Sequence, residues 1–313
     1  MLTALLALIF GFIGLVWSAD KFVAGAAASA RKLGMSTFMI GLTVVAFGTS
    51  APELLVAFSA ALTDASALAV GNAMGSNLAN IGLVLAVTAL IARIPISKGL
   101  LRSELPVVLA VTVLAGYCLH DSDLSRSDGL LLLAALVLTL VWMAKGPKAD
   151  EAVVESEIPS VEDRLMWFYL IGGLLMLMIS SELLVWGAKQ LAVMLGVSQL
   201  VIGLTVVAVG TSLPELAAAV MSAIRGHHDM ALGNVMGSNI FNILAVMAVP
   251  GIINPVEFSE AIFTRDYLAM AGITFLLALM LYIDAFVRST PRLGKLAASV
   301  LLVFYITYYY LLF

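Results

Sequence analysis

Cysteine, histidine and charged residues are scarce in this chain of 313 residues, and their scarcity excludes several classes of protein. The one cysteine, Cys118, cannot form an intramolecular disulfide or a cysteine-based metal cluster. Charged residues make up 12% of the chain and hydrophobic residues 62%, which is too apolar for a soluble globular protein. The net charge of -4, without a basic stripe, argues against nucleic-acid binding. The sequence contains no cofactor-binding pattern and no nucleophile paired with a base, so nothing in it indicates an enzyme. Composition therefore predicts an all-α polytopic membrane protein.

Polar residues divide the apolar sequence into ten predicted membrane spans. Their approximate bounds are 2–30, 36–63, 67–92, 100–119, 127–145, 164–193, 198–224, 229–253, 263–286 and 294–312. Residues 146–163 carry six acids and form the one clearly hydrophilic stretch, so we interpret them as a linker between two sets of five helices. Loops on the linker's side carry twelve Lys and Arg, against three on the other side. The positive-inside rule then predicts a multi-pass protein of the cell (inner) membrane, with a cytoplasmic linker and both termini outside.

The two halves of the chain repeat each other. Residues 41–81 align without a gap to residues 203–243, with 23 identities in 41 positions. Because each half holds an odd number of predicted helices, the second half must be inserted upside down relative to the first. Inverted repeats of this kind are typical of secondary transporters, whose substrate sites lie near the bilayer midplane between broken helices. We therefore predict two inverted five-helix repeats, 1–145 and 164–313, joined by the acidic linker.

Each repeat contains the sequence Gly-Thr-Ser-x-Pro-Glu, at 48–53 and at 210–215. Pro52 and Pro214 cannot donate a backbone hydrogen bond, so a helix should break just before each of them. Glu53 and Glu215 follow at once, although a charge inside hydrocarbon costs roughly 2.5–3.5 kcal/mol on insertion scales. Carboxylate, hydroxyl and freed carbonyl oxygens, without sulfur or imidazole, are ligands that suit Na+ or Ca2+. The repeated carboxylates therefore predict a cation site.

A second repeated sequence, Gly-Asn-x-x-Gly-Ser-Asn, lies at 71–77 and at 233–239. Its serines share a helix face with asparagines four residues later, which pairs Ser76 with Asn80 and Ser238 with Asn242. Its own asparagines are expected to satisfy backbone groups rather than to bind an ion: Asn72, Asn77, Asn234 and Asn239. Its glycines are expected to let helices approach closely: Gly71, Gly75, Gly233 and Gly237.

Together these paired sequences resemble the alpha-repeats of the cation/calcium exchanger superfamily, specifically its sodium/calcium exchangers and their prokaryotic, YrbG-like branch. The resemblance covers essentially the whole chain and implies a diamond of adjacent cation sites, with Glu53 and Glu215 as the shared central ligands. A sodium site toward the cytoplasm would use Thr49, Ser50, Ser76 and the Ala46 carbonyl. Its outward counterpart would use Thr211, Ser212, Ser238 and the Ala208 carbonyl. The Thr49 and Thr211 carbonyls would also reach the calcium site, and Asn80 and Asn242 would flank the middle position.

The resemblance implies Na+/Ca2+ antiport by alternating access, in which helices one and six slide across the rest. It implies an electrogenic ratio of 3 Na+ to 1 Ca2+, calcium extrusion, and no cofactor or obligatory protein partner beyond the ions and the bilayer. Potassium-dependent members have Asp where this chain has Asn242, which argues against potassium dependence. The residues also leave open a Ca2+/H+ antiporter, with the two glutamates as proton carriers, and a cation channel. Asp20 and Glu182 recur at the repeat offset on unbroken helices, so we expect a structural or gating role for them.

Overall fold

The protein is represented by a computed structural model that describes residues 1–145, 163–196 and 208–312. This part of the chain is mostly helical. Its helices are α1 (Leu2–Leu33), α2 (Thr37–Thr49), α3 (Ala51–Leu62), α4 (Ser66–Ile91), α5 (Gly99–Leu119), α6 (Arg126–Lys145), α7 (Leu165–Met194), α8 (Ala208–Thr211), α9 (Leu213–Ile224), α10 (His228–Ile253), α11 (Ile262–Val287) and α12 (Lys295–Leu312). The prediction of an all-α, multi-pass membrane protein is confirmed.

Eight of the described helices are long and apolar enough to cross a membrane, and the bent pair α2 and α3 makes a ninth if it is one span. The predicted span 198–224 is represented by the short helices α8 and α9, because residues 198–207 lie outside the described residues. The predicted linker 146–163 also lies outside them, except for Asp163. The count of ten spans and the inverted order of the repeats therefore stay predictions.

The predicted helix breaks are confirmed in both repeats. After α2, Ser50 leaves helical geometry at φ −84° and ψ 4°, and Pro52 lies in the first turn of α3. Ser212 does the same between α8 and α9, at φ −90° and ψ 5°, and Pro214 opens α9. A proline in the first turn of a helix costs no hydrogen bond, because backbone N–H groups there lack a partner within the helix. The bend between α2 and α3 is 43°.

Three π-helical turns lie in the helices that carry the repeated sequences, and the sequence did not predict them. One occupies Gly41–Val45 in α2, and the others begin at equivalent asparagines, over Asn80–Leu85 in α4 and Asn242–Val246 in α10. A π-helical turn inserts an extra residue into a helix and is frequent at functional sites. It turns the helix face locally, so Asn80 and Asn242 stand where the helical register changes.

The described residues form two compact units, one from Met1–Thr49 and Lys148–Asn234, the other from Ser50–Pro147 and Val235–Phe313. In the first unit, α1 and α7 run antiparallel and touch through glycine backbones. A Cβ atom on Gly25 would lie 2.4 Å from the Leu170 nitrogen, and one on Gly173 would lie 2.7 Å from the Phe22 nitrogen. Large apolar side chains on the outer faces of these helices, such as Phe12, remain exposed and suit a lipid environment.

The second unit contains two short antiparallel strand pairs. Strand β1 (Ile94–Pro95) pairs with β4 (Arg292–Leu293), and β2 (Asp123–Leu124) pairs with β3 (Val256–Glu257). Helix α5 leads from β1 to β2, and α11 leads from β3 to β4. The two strand pairs therefore lie at opposite ends of these helices.

Candidate cation-binding site

Glu215 lies in the first turn of α9 and is fully buried in the first unit. Its backbone carbonyl accepts a hydrogen bond from Asn234 Nδ2 at 3.2 Å. The amide oxygen of Asn234 accepts in turn from Thr49 Oγ1 at 3.2 Å, and the same hydroxyl lies 3.3 Å from the Ala46 carbonyl oxygen. Asn234 thus links the end of α2 to the start of α9, and its expected role in satisfying the backbone is confirmed.

Ser212, at the break before α9, is 1% exposed, and its hydroxyl has no hydrogen-bond partner within the described part of the chain. One of the carbonyls freed at this break, that of Gly210, accepts a hydrogen bond from Ser181 Oγ at 3.2 Å. Ser181 is a buried residue of α7 that sequence reasoning missed. The only signal for it was a pair of serines, Ser180 and Ser181, beside Glu182 in an apolar helix.

Glu53 lies in the first turn of α3 and is 1% exposed in the second unit. Ser76 Oγ on α4 donates to its Oε1 across 3.5 Å, which is long for a hydroxyl hydrogen bond. No donor reaches its Oε2 among the residues that the structure describes. The structure therefore brings together Glu53 and Ser76, two residues that the sequence assigned to one site.

Asparagines connect α4 to α10 within the second unit. Asn77 Nδ2 donates to the Asn239 carbonyl at 3.2 Å, and Asn80 Nδ2 donates to the Asn239 side-chain oxygen at 3.1 Å. Asn77 therefore bonds a backbone carbonyl, but that of an intact helix, whereas the sequence predicted a bond to the backbone of a broken helix. The side-chain oxygens of Asn77 and Asn80 meet no donor in the described residues.

Ser238 and Asn242 on α10 are both fully buried, and the polar atoms of their side chains make no hydrogen bond to any described residue. The π-helical turn that begins at Asn242 packs against both α3 and α4. Leaving a buried polar group unsatisfied costs about 1–3 kcal/mol, and such groups in native proteins call for a water, an ion or a functional role. The second unit therefore concentrates buried oxygens that lack donors.

These oxygens share one chemistry. They are the Glu53 Oε2, Asn77 Oδ1, Asn80 Oδ1, Ser238 Oγ and Asn242 Oδ1 atoms. In the described residues, no three Asp, Glu, His or Cys side chains lie together. Ion binding by this unit would therefore depend on one carboxylate and neutral oxygens, which are ligands that suit a hard cation.

The remaining predicted ligands divide between the units. Ala46 and Thr49 belong to the first unit and Ser50 and Ser76 to the second. Likewise Ala208, Thr211 and Ser212 belong to the first unit, where Ala208 is the first described residue of α8, while Ser238 belongs to the second. The grouping of these residues into two sodium sites stays a prediction.

Asp20 on α1 takes part in an ion pair. Its Oδ1 accepts from Arg225 Nε at 2.8 Å, and its Oδ2 lies 3.7 Å from Lys21 Nζ. The Lys21 ammonium also lies 5.2 Å from the centre of the Tyr169 ring. Its repeat counterpart Glu182 is instead exposed on α7. Asp20 therefore joins α1 to the end of α9, and a gating role for it stays a prediction.

Comparison with known proteins shows which family this chain resembles. The model of the sodium/calcium exchanger protein family matches residues 3–145 and 165–313. The CaxA protein of Alkalimonas amylolytica is 42% identical over 320 residues, which cover 100% of this chain and 99% of that protein. The inner membrane protein YrbG of Escherichia coli strain K12 is 38% identical over 304 residues, covering 94% of this chain and 92% of YrbG.

A solved structure of the sodium-calcium exchanger NCX_Mj, soaked without Na+ and Ca2+, superimposes with a TM-score of 0.85 at 33% identity. The match covers 98% of this chain and 98% of that one. Family model, relatives and structure thus agree over nearly the whole length. The chain belongs to the sodium/calcium exchanger family of the cation/calcium exchanger superfamily, in its prokaryotic, YrbG-like branch.

Proposed function

We propose that this protein is a secondary active antiporter that exchanges Na+ for Ca2+ across the membrane by alternating access. The observation that carries the proposal is Glu53, a buried carboxylate whose hydrogen bond from Ser76 is 3.5 Å long, in a unit that also holds buried neutral oxygens without donors among the described residues. A carboxylate kept from water without a partner costs several kcal/mol, and a bound cation offsets that cost. Membership of the sodium/calcium exchanger family names Na+ and Ca2+ as the cations to test.

Glu53 and Glu215 are proposed as the central ligands of the transported ions. Three hydroxyl side chains with the Ala46 carbonyl would complete the sodium site on one side, and their repeat counterparts with the Ala208 carbonyl would complete the other. These hydroxyls belong to Thr49, Ser50, Ser76, Thr211, Ser212 and Ser238. The amide oxygens of Asn80 and Asn242 would flank the middle position, in keeping with their burial and their lack of donors.

Charge supports an electrogenic ratio. Two carboxylates neutralise one Ca2+, whereas three Na+ leave one positive charge over, so exchange of 3 Na+ for 1 Ca2+ would move net charge. An inward sodium gradient would then drive calcium extrusion from the cell. The proposed location is the cell (inner) membrane, with both termini outside, as the Lys and Arg distribution predicts.

Coupling would follow from competition for shared ligands. Ca2+ and Na+ cannot both be fully bound, and either loaded form neutralises the buried carboxylates. The empty form would carry two uncompensated charges, which disfavours its passage through the occluded state. Ion binding alone would then couple the two fluxes and prevent a leak of either ion, and no chemical step would be needed.

The helices proposed to move are α1 and α7. Their glycine-lined contact places backbone against backbone, as between Gly25 and Leu170, so that the two helices would move as one pair. This contact supports the proposal that they slide together during alternating access.

The test is calcium flux in proteoliposomes, first with an imposed sodium gradient and then with an imposed pH gradient. Glu53→Gln and Glu215→Gln should each abolish sodium-driven calcium uptake. Glu260→Gln makes the same change at an exposed residue between β3 and α11 and should leave the flux intact. Imposing a membrane potential tests the ratio of Na+ to Ca2+, because an inside-positive potential should change the rate of an exchange that moves net charge.

Three outcomes would contradict the proposal. Flux driven by a pH gradient but not by sodium would indicate a Ca2+/H+ antiporter. Calcium flux that needs no counter-ion at all would indicate a channel. Normal flux in either glutamine variant would show that the buried carboxylates are not the ion ligands.

A further inference from the structure

One end of the second unit is strongly basic. The loops after α4 and α11, taken with the adjoining helix ends as segments 93–104 and 284–295, together hold six Lys and Arg residues against two acids, Glu104 and Asp284. The six cations are Arg93, Lys98, Arg102, Arg288, Arg292 and Lys295. We refer to this surface, formed by the two loops, as the basic end.

The fold joins these two loops although they are far apart in sequence. Ile94 lies opposite Leu293 in the β1–β4 pair, and Ile96 N donates to the Pro291 carbonyl at 2.8 Å. From α11, Tyr282 Oη donates to the Leu101 carbonyl at 2.8 Å. Three contacts of this kind hold both loops in one fixed arrangement.

A cavity of about 250 Å³ opens at the basic end. Its lining includes Leu101, Arg102, Tyr282, Arg288, Ser289 and Pro291. The cavity thus receives one arginine from each loop, and Ser289 adds a hydroxyl donor. A water molecule takes up about 30 Å³ of liquid, so the cavity has room for a larger polar group.

The two arginines differ in how they are held. Arg288 Nε donates to Asp284 Oδ1 at 2.8 Å, and Asp284 Oδ2 accepts from the backbone of Arg292 at 2.8 Å. Arg102 is exposed and makes no ion pair with a described residue. A guanidinium has five N–H donors and suits a phosphate group in bidentate geometry. Arg288 is therefore oriented while most of its donors stay available, and Arg102 brings a full positive charge.

The opposite end of the same unit shows that this charge is not a general property of the strand pairs. The loops 120–128 and 255–266, joined by β2 and β3, hold six acids against two basic residues, Arg126 and Arg265. The positive-inside rule accounts for many cations in one set of loops. It does not require that arginines from two separate loops line one cavity.

We infer that the basic end binds a phosphate-bearing anion, with Arg102 and Arg288 as its ligands. Two sources share this chemistry, namely the headgroup of an anionic phospholipid and a soluble phosphate compound. Basic pockets at the ends of membrane helices bind anionic lipid headgroups elsewhere. Phe286 and Val287, directly before Arg288, are 93% and 73% exposed and offer an apolar surface for an acyl chain. The surroundings thus favour the lipid.

The experiment is native mass spectrometry of the purified full-length protein, titrated with phosphatidylglycerol and, separately, with phosphatidylcholine. Each basic residue near an anionic surface contributes about 1 kcal/mol, so Arg102→Gln should weaken phosphatidylglycerol binding about fivefold and Arg102→Gln with Arg288→Gln about thirtyfold. The control is Arg126→Gln with Arg265→Gln, which removes the same charge at the acidic end and should leave the affinity unchanged.

Competition separates the two sources. Phosphatidylglycerol binding that persists in excess inorganic phosphate, and that exceeds phosphatidylcholine binding, would identify the lipid headgroup. Displacement by inorganic phosphate at low concentration would assign the site to a soluble phosphate compound. Equal lipid binding in wild type and in both arginine variants would overturn the inference. Arg102→Gln alone decides the matter if the double variant fails to fold, because Arg102 has no ion pair with a described residue to lose.

Discussion

Glu53→Gln should change the stability of the protein in opposite directions with and without calcium. Glu53 is 1% exposed, and the hydrogen bond that its carboxylate accepts from the Ser76 side chain is 3.5 Å long. An ionised carboxylate in that position has lost its hydration and gained little in return. Glutamine keeps the shape of the side chain and removes the charge. The ion-free variant should therefore unfold at a higher temperature than the ion-free wild type.

The same substitution should weaken calcium binding severely. Removing one partner of a buried, desolvated charge pair costs about 2–5 kcal/mol, which corresponds to a Kd higher by roughly 30-fold to 5,000-fold. Calcium at 100 times the wild-type Kd stabilises the wild type by about 2.7 kcal/mol, whereas a Kd that is roughly 30-fold higher leaves about 0.9 kcal/mol and one that is roughly 5,000-fold higher leaves almost nothing. Added calcium should therefore raise the unfolding temperature of the wild type by at least about three times as much as that of the variant.

The assay is thermal unfolding in detergent at alkaline pH, with a calcium chelator or with calcium, alongside calorimetric titration of calcium. Glu260→Gln serves as the control, because it removes an exposed carboxylate. A Glu53→Gln protein that binds calcium with wild-type affinity would refute the ligand role of Glu53. A variant that is less stable than wild type without calcium would refute the claim that its charge lacks compensation.

Three further substitutions test other parts of the structure. Gly233→Ala should destabilise the protein by about 1–3 kcal/mol, because its Cβ would lie 2.3 Å from the Phe38 backbone oxygen. An unfolding temperature equal to that of the wild type would contradict this expectation. Arg225→Gln removes the largely exposed ion pair with Asp20, so the free energy of unfolding should change by no more than about 1 kcal/mol. If this ion pair restrains α1, ion exchange should become faster in flux assays. Partial burial and three neighbouring carboxylates raise the pKa of Asp123 in the folded protein. The folded state therefore binds this proton more tightly than the unfolded state does, so stability falls as the pH rises above the ordinary pKa of an aspartate. Asp123→Asn should remove that fall in pH-dependent unfolding at low ionic strength, and an unchanged pH profile would contradict it.

Features set by single residues and by hydropathy could be predicted from the sequence. The helix breaks appear at Pro52 and Pro214 because proline cannot continue a helix, wherever the segment packs. The approach of Ser76 to Glu53 also follows the prediction. Most span ends agree within a few residues, since the length of an apolar run is set by the thickness of the bilayer.

Other features depend on register and on tertiary packing, which one sequence does not encode locally. The two-residue strands are too short to show any alternation, and the π-helical turns at Asn80 and Asn242 leave no mark on hydrophobic periodicity. Close packing is confirmed for Gly233, whose Cβ would lie 2.3 Å from the Phe38 backbone oxygen, and it stays a prediction for Gly71 and Gly75.

Equivalent positions in the two repeats have taken on different tasks. Asn234 bonds the carbonyl of Glu215, whereas the amide nitrogen of Asn72 finds no acceptor in the described residues. The charges of the strand pairs have opposite sign at the two ends of the second unit. Residues that would bind ions in both orientations must stay alike, and these differences fall on residues that hold helices together or face the membrane surface. The inverted repeats that we predict would allow the proposed ion ligands to stay symmetric while the two ends of the protein diverge to meet a membrane that is itself asymmetric.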